Sequence, residues 1–297
     1  MNSLDMANNI VELENRQEHI NQLKAARHLY TKAGNYTTAY VIICVLIPIV
    51  ISIGRIFVDS LAPLVLHTLT AYTLMSLVMG FLLESQISKF RNTAAKIQQL
   101  FDSDVLGLKW NAYLWGKKTS LEDVNENIGN LPDKDFVDWY DTQVRDMTKM
   151  EAALICQRTN LVYDSKLRKK FNSIINVIAG SAFVLILIAG FYKNEGMRTA
   201  IVFIGVPLVP IIKWFFSVRR QNLNDIDRCE SLKSFIDECL DNLKINHMAI
   251  NECTLYRIQD GIYKHRKTAF KIPDCLYNYM RSSQEDKVHM MVNKLSQ

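Results

Sequence analysis

Four long stretches without formal charge, at 33–54, 60–83, 171–192 and 199–212, constrain this 297-residue chain more than any other feature. A hydrocarbon core of ~30 Å takes roughly 20 helical residues to cross. The first three stretches meet that length, and the fourth does so if Lys213 snorkels and 214–218 completes the run. Only 55–59 separates the first two stretches and only 193–198 the last two, so each pair reads as a tight hairpin. The expected fold class is an all-α membrane protein. It has four transmembrane helices in two hairpins and a helical cytoplasmic domain built from the middle insert and both termini. The expected organisation is a cytoplasmic N-terminal helix over 1–32, a transmembrane hairpin over 33–83 and a cytoplasmic insert over 84–170. A second transmembrane hairpin covers 171–218 and a cytoplasmic C-terminal helical arm 219–297.

Charge sets the expected direction. The flanks outside the hairpin turns carry Lys24, Arg27, Lys32, Lys89, Arg91, Lys96, Lys166, Arg168, Lys169, Lys170, Arg219 and Arg220, against Arg55, Lys193 and Arg198 in the turns. That bias predicts cytoplasmic N- and C-termini, periplasmic turns and a multi-pass protein of a bacterial inner membrane. The residues before the first stretch have no apolar h-region, so the first span is expected to act as its own insertion signal. The six cysteines form no C-x-x-C pair, and those outside the spans are expected to be reduced thiols.

Apolar residues continue past the second stretch at alternating spacings of three and four: Ile87, Phe90, Ala94, Ile97 and Phe101. With no Pro or Gly across 81–101, this predicts one helix running from the bilayer into the cytosol, able to carry movement between them. After the fourth stretch, Leu223, Ile226, Cys229, Leu232, Ile236, Leu240 and Leu243 predict a second long helix. Leu255, Ile258 and Ile262 predict an arm that folds back on the insert.

No Ser elbow, P-loop, G-x-G-x-x-G or H-E-x-x-H occurs, and Asp102–Ser103–Asp104 is a weak D-x-D, so neither an enzyme nor a metal site is expected. Intramembrane charges are too few for a secondary transporter. A polar stripe on the second stretch, Thr68, Tyr72 and Ser76, reads either as helix packing or as the wall of a path between protomers. Aromatic and basic residues in the cytoplasmic parts suit a ligand with phosphates and bases: Trp110, Trp115, Lys117, Arg158, Asn160, Tyr163, His265 and Arg266.

Three blocks carry a family resemblance: AAKIQQLFDSDVLGLKWNAYLWGKK at 94–118, LICQRTNLVYDSKLRKKF at 154–171, and IQDGIYKHRKTAFKIPDCLYNYMR at 258–281. In order and spacing the sequence resembles the four-transmembrane pore-forming effectors associated with SMODS nucleotidyltransferases in bacterial anti-phage operons. Gly261 stands where that family leads one to expect an acid. The resemblance implies a CBASS-type effector that binds a cyclic oligonucleotide made by a partner nucleotidyltransferase. It then permeabilises the inner membrane as a homo-oligomer, with the lipid bilayer as partner and without DNA or RNA. No cofactor beyond that activating ligand is expected. The competing expectation is a membrane-anchored scaffold that docks a partner protein and forms no pore.

Overall fold

The computed structural model of the chain describes residues 8–47, 50, 62–192, 206–245, 250–272, 274, 276 and 279. Its elements are α1 (Ile10–Glu14), α2 (Gln17–Val41), α3 (Ala62–Leu106), α4 (Ala112–Trp115), α5 (Leu121–Glu126), α6 (Lys149–Tyr192), α7 (Val206–Lys244) and α8 (Glu252–Thr268). A π-helical turn at Ile42–Leu46 prolongs α2, and short 3-10 turns lie at Asp133–Asp135 and Thr142–Asp146. No strand occurs among the described residues, in keeping with the all-α expectation.

The long helices form two antiparallel pairs, α2 with α3 and α6 with α7, and α8 lies against α3, α6 and α7. In the first pair small residues allow close approach. Ala25 and Ala26 of α2 pack with Ala94 of α3 near the polar end, and Gly80 of α3 meets Tyr40 and Cys44 near the other. The predicted seam on α3 is buried from Ala94 through Ile97 to Phe101. The helix is one 45-residue unit, and it stops at Gly107, whose φ of 69° needs no Cβ. There the Leu108 N–H donates to the Ser103 carbonyl at 2.8 Å and satisfies one of the last carbonyls. Ile155 and Leu161 of α6, Ile236 and Leu240 of α7, and Leu255, Ile258 and Ile262 of α8 complete the central core.

A polar seam runs through this core. Gln259 of α8 donates to Gln99 (2.9 Å) and Asp102 (2.8 Å) of α3, and accepts from Gln157 of α6 at 3.0 Å. Gln259, Gln99, Gln157 and Asp102 are all fully buried. At Gly261 α8 approaches α7 closely: a Cβ there would come within 2.9 Å of a Leu232 δ-methyl.

The expectation of four membrane-crossing helices is corrected here. Among the described residues, no helix is long and apolar enough to cross a membrane. Each long helix is apolar over only part of its length. In α7 the charge at Lys213 comes soon after the start at Val206, and Arg219 and Arg220 follow. Past residue 33, α2 carries Asn35, Tyr36, Thr37 and Thr38. Half of α6 is the charged segment before Phe171, and Asn172, Ser173 and Asn176 follow it. Side chains of α3 are described from Ala71, and Glu84 ends its uncharged part. The rest of the expected spans, including 51–61 and 193–205 with both hairpin turns, lies outside the described residues.

Candidate functional site

A cavity of about 510 Å³ opens between α2, α3, the 134–141 segment, α6, and the end of α8 with the residues after it. The 134–141 segment reaches this place because the N-terminal turn clamps it. The Tyr140 N–H donates to Glu14 Oε2 at 2.9 Å, and Asn15 and Asp138 exchange two hydrogen bonds that hold Asp138 at φ 51°. Asn8 caps the following stretch by donating to the Val144 and Met147 carbonyls.

The wall is charged and aromatic: Arg27, Arg91, Lys134, Arg168, Arg266 and Lys271 stand among Asp135, Asp138, Asp141 and Asp164, interleaved with Tyr30, Trp139, Tyr140, Tyr163 and Phe270. Most of the buried cations are matched. Arg168 pairs with Asp164 (2.6 Å) and Asp225 (3.2 Å), Arg266 with Asp102 (2.5 Å), and Lys271 with Asp274 (2.9 Å) while lying 5.6 Å over the Tyr30 ring. Burial works against the Asp164 carboxylate, but Arg168 and the hydrogen bond from His265 hold its pKa well below the usual range. For Lys271, burial outweighs Asp274 and lowers the pKa.

Arg91 is different. Its Nη1 donates to the Ala269 carbonyl at 3.2 Å, its Nε has no hydrogen-bond partner, and among the described residues it forms no ion pair. Burial lowers its pKa; Tyr30 and Asp225 oppose this and Arg168 adds to it. The Tyr30 hydroxyl in the same wall also lacks a hydrogen-bond partner, and burial raises its pKa. Buried donors left unpaired cost about 1–3 kcal/mol each, more if charged. A guanidinium and a phenol in this condition face the cavity with hydrogen-bond donors that the chain itself does not use.

Four of the eight ligand residues expected from sequence line this cavity: Asn160, Tyr163, His265 and Arg266. The other four lie elsewhere. Trp115 is buried in a small cluster with Ala95 and Tyr263, its ring edge-on to Trp110 at 5.1 Å, and the Trp110 indole donates to the Gly116 carbonyl. Lys117 is exposed beside them. Arg158 is buried and paired with Asp237, tying α6 to α7. Of the stripe, Tyr72 donates to the Ile43 carbonyl and the Ser76 carbonyl accepts from Cys44 Sγ, so both meet the π-turn of the same chain. The side chain of Thr68 lies outside the described ones. Sequence reading did not select Arg91, Tyr30, Arg27 or Lys271. The third block holds Lys271, and the Arg27–Tyr30 spacing of one helical turn was the available signal for the α2 wall.

Comparison with known proteins places the whole chain in one context. The family described as the SMODS-associating 4TM effector domain matches residues 8–295. A relative from Bacillus cereus strain VD146, described as a probable CBASS effector molecule, is 23% identical over 290 residues, covering 96% of this chain and 97% of its own. No solved structure matches the chain.

Proposed function

Because the chain belongs to the SMODS-associating 4TM effector family, we propose that it is the effector of a CBASS-type anti-phage system, with the cavity as receptor for the activating messenger. The messenger is a cyclic oligonucleotide made by a partner nucleotidyltransferase. Its consequence is permeabilisation of the bacterial inner membrane by a homo-oligomer. The Bacillus cereus relative's description supports the same role.

The observation that carries the messenger reading is Arg91. A guanidinium with an unpartnered Nε–H and no carboxylate in ion-pair contact among the described residues is the natural partner of a phosphate, and Arg binds phosphate through paired N–H groups. Tyr30 adds a second donor to the same wall. Trp139, Tyr163 and Phe270 provide faces on which bases stack. Lys134, exposed at the rim, adds positive potential, while Arg27 and Lys271 share Asp274 and would reach the anion as hydrogen-bond donors. The ligand would thus touch α2, α3, α6 and the segment after α8 together.

Exposed apolar faces on α3 and α6 support a membrane effect. Val78 and Phe81 on α3 and Val177 and Ile178 on α6 are all more than half exposed, the kind of patch that lipid or another copy covers.

The test is titration of the purified protein with cyclic di- and trinucleotides, read by thermal shift, beside dye release from anionic vesicles. One messenger should raise Tm and trigger release. Arg91→Ala should weaken that messenger roughly 10–100-fold, the loss of one charge-assisted contact. If no cyclic nucleotide shifts Tm, or if Arg91→Ala responds as the wild type does, the cavity is not the receptor. A thermal shift without release would instead favour a scaffold.

A further inference from the structure

Three side chains that no sequence motif connects meet at the back of the cavity: Asp164 from α6, Cys229 from α7 and His265 from α8. Cys229 Sγ lies 3.4 Å from His265 Nε2 and 3.6 Å from Asp164 Oδ2, and His265 Nε2 lies 2.5 Å from Asp164 Oδ2. Cys229 is fully buried and His265 nearly so, while Asp164 keeps an open side toward the cavity.

We infer that Asp164, Cys229 and His265 form a three-ligand site for a thiophilic divalent cation, zinc before others, with its fourth position toward the cavity. The donor set favours this choice. A thiolate, an imidazole and one carboxylate suit zinc, whereas magnesium and calcium require oxygen ligands. The spacing also fits. Ligands at ~2.3 Å (sulfur) and ~2.0 Å (nitrogen, oxygen) around a tetrahedral ion lie about 3.3–3.6 Å apart. Both sulfur distances already have that value, and the His265–Asp164 pair needs to open by roughly 0.8 Å to admit the ion.

The surroundings are those of a ligand set held from outside. Arg168 donates through Nε to Asp164 and through Nη1 to Asp225 and the Phe270 carbonyl. A ligating carboxylate is normally itself hydrogen-bonded, and Arg168 is placed to do this for Asp164. Asp225 keeps the guanidinium neutralised when Asp164 turns to a cation. Without metal, burial, together with Asp164, raises the Cys229 pKa, so the thiol is protonated. Binding the cation would release that proton to solvent and displace the proton that His265 Nε2 shares with Asp164, and the neutral ring would keep its proton on Nδ1, leaving Nε2 to coordinate. The ion would join α6, α7 and α8 at one point.

Cobalt(II), which reports its ligands by absorption, is the probe, so the test does not depend on the messenger reading. The full chain, stripped by chelator, should bind one Co2+ and develop a thiolate charge-transfer band together with visible bands of a four-coordinate ion. Cys229→Ser should lose the charge-transfer band, and His265→Gln should bind Co2+ at least ~10-fold more weakly, with helical circular dichroism unchanged. Zinc should raise the Tm of the stripped wild type and not that of Cys229→Ser. The inference fails if saturating Co2+ gives the stripped wild type no thiolate band, or if the band persists in Cys229→Ser. The wild-type spectrum decides alone if a variant does not fold.

Discussion

Glu14 shows how one side chain can set both a loop and a pH response. It is fully buried, receives the Tyr140 N–H, and has no partner for Oε1. Burial, with Asp138 and Glu12 nearby, pushes its pKa from 4.5 to about 8 despite that hydrogen bond. Between these two values the folded protein keeps a proton that the unfolded chain has released. Stability from this residue is therefore complete below pH 4.5 and is lost as pH rises toward about 8. The loss runs at up to ~1.4 kcal/mol per pH unit. Glu14→Gln keeps the acceptor and removes the titration. Its Tm should fall less than the wild type's between pH 5 and about 8. Parallel Tm profiles for the two proteins would show that Glu14 is already ionised in the folded state. Nothing in the sequence marked Glu14, because its ordinary helical neighbours give no sign that Tyr140, 126 residues away, folds over it.

At the level of elements, the polar seam on Gln259 is the joint between α3, α6 and α8. Gln259→Leu matches the apolar spacing of α8 but strips Gln99 and Gln157 of a partner and leaves Asp102 with one donor fewer. At about 1–3 kcal/mol for each buried group left unpaired, Tm should fall by several degrees or more. A substitution without effect on Tm would mean that water or repacking satisfies the seam. These elements were largely legible in the sequence. The three-and-four spacing on α3, α7 and α8 predicts each buried stripe, because a helix turns its side chains with that period. The cavity was only half legible. Its walls come from five separate segments, and periodicity reports which face of a helix is buried, not what the face meets. Trp115 and Arg158 illustrate the limit. An aromatic and an arginine at those positions read as ligand contacts or as structural residues, and in the structure Trp115 packs in a core cluster while Arg158 ties α6 to α7.

Among the described residues, the molecule is polar and densely bonded around the cavity and apolar on the outside further along α3 and α6. Val78 and Phe81 are 62% and 74% exposed, although α3 is wholly buried at Ala94, Ile97 and Phe101 further along. Replacing both with Glu should cut co-flotation with anionic vesicles while leaving Tm near the wild-type value, since surface changes away from the core cost little. Equal flotation of wild type and variant would assign the apolar face to contacts between copies rather than to lipid. The uninterrupted length of α3 has one more consequence, a mechanical one. From Arg91 back to Ala62 the helix extends ~44 Å. Pivoting by ~5° at the cavity would swing its far tip by roughly 4 Å. A stiff rod anchored at one end works as a lever, so a small adjustment around the cavity would produce a displacement as wide as a side chain at the opposite end.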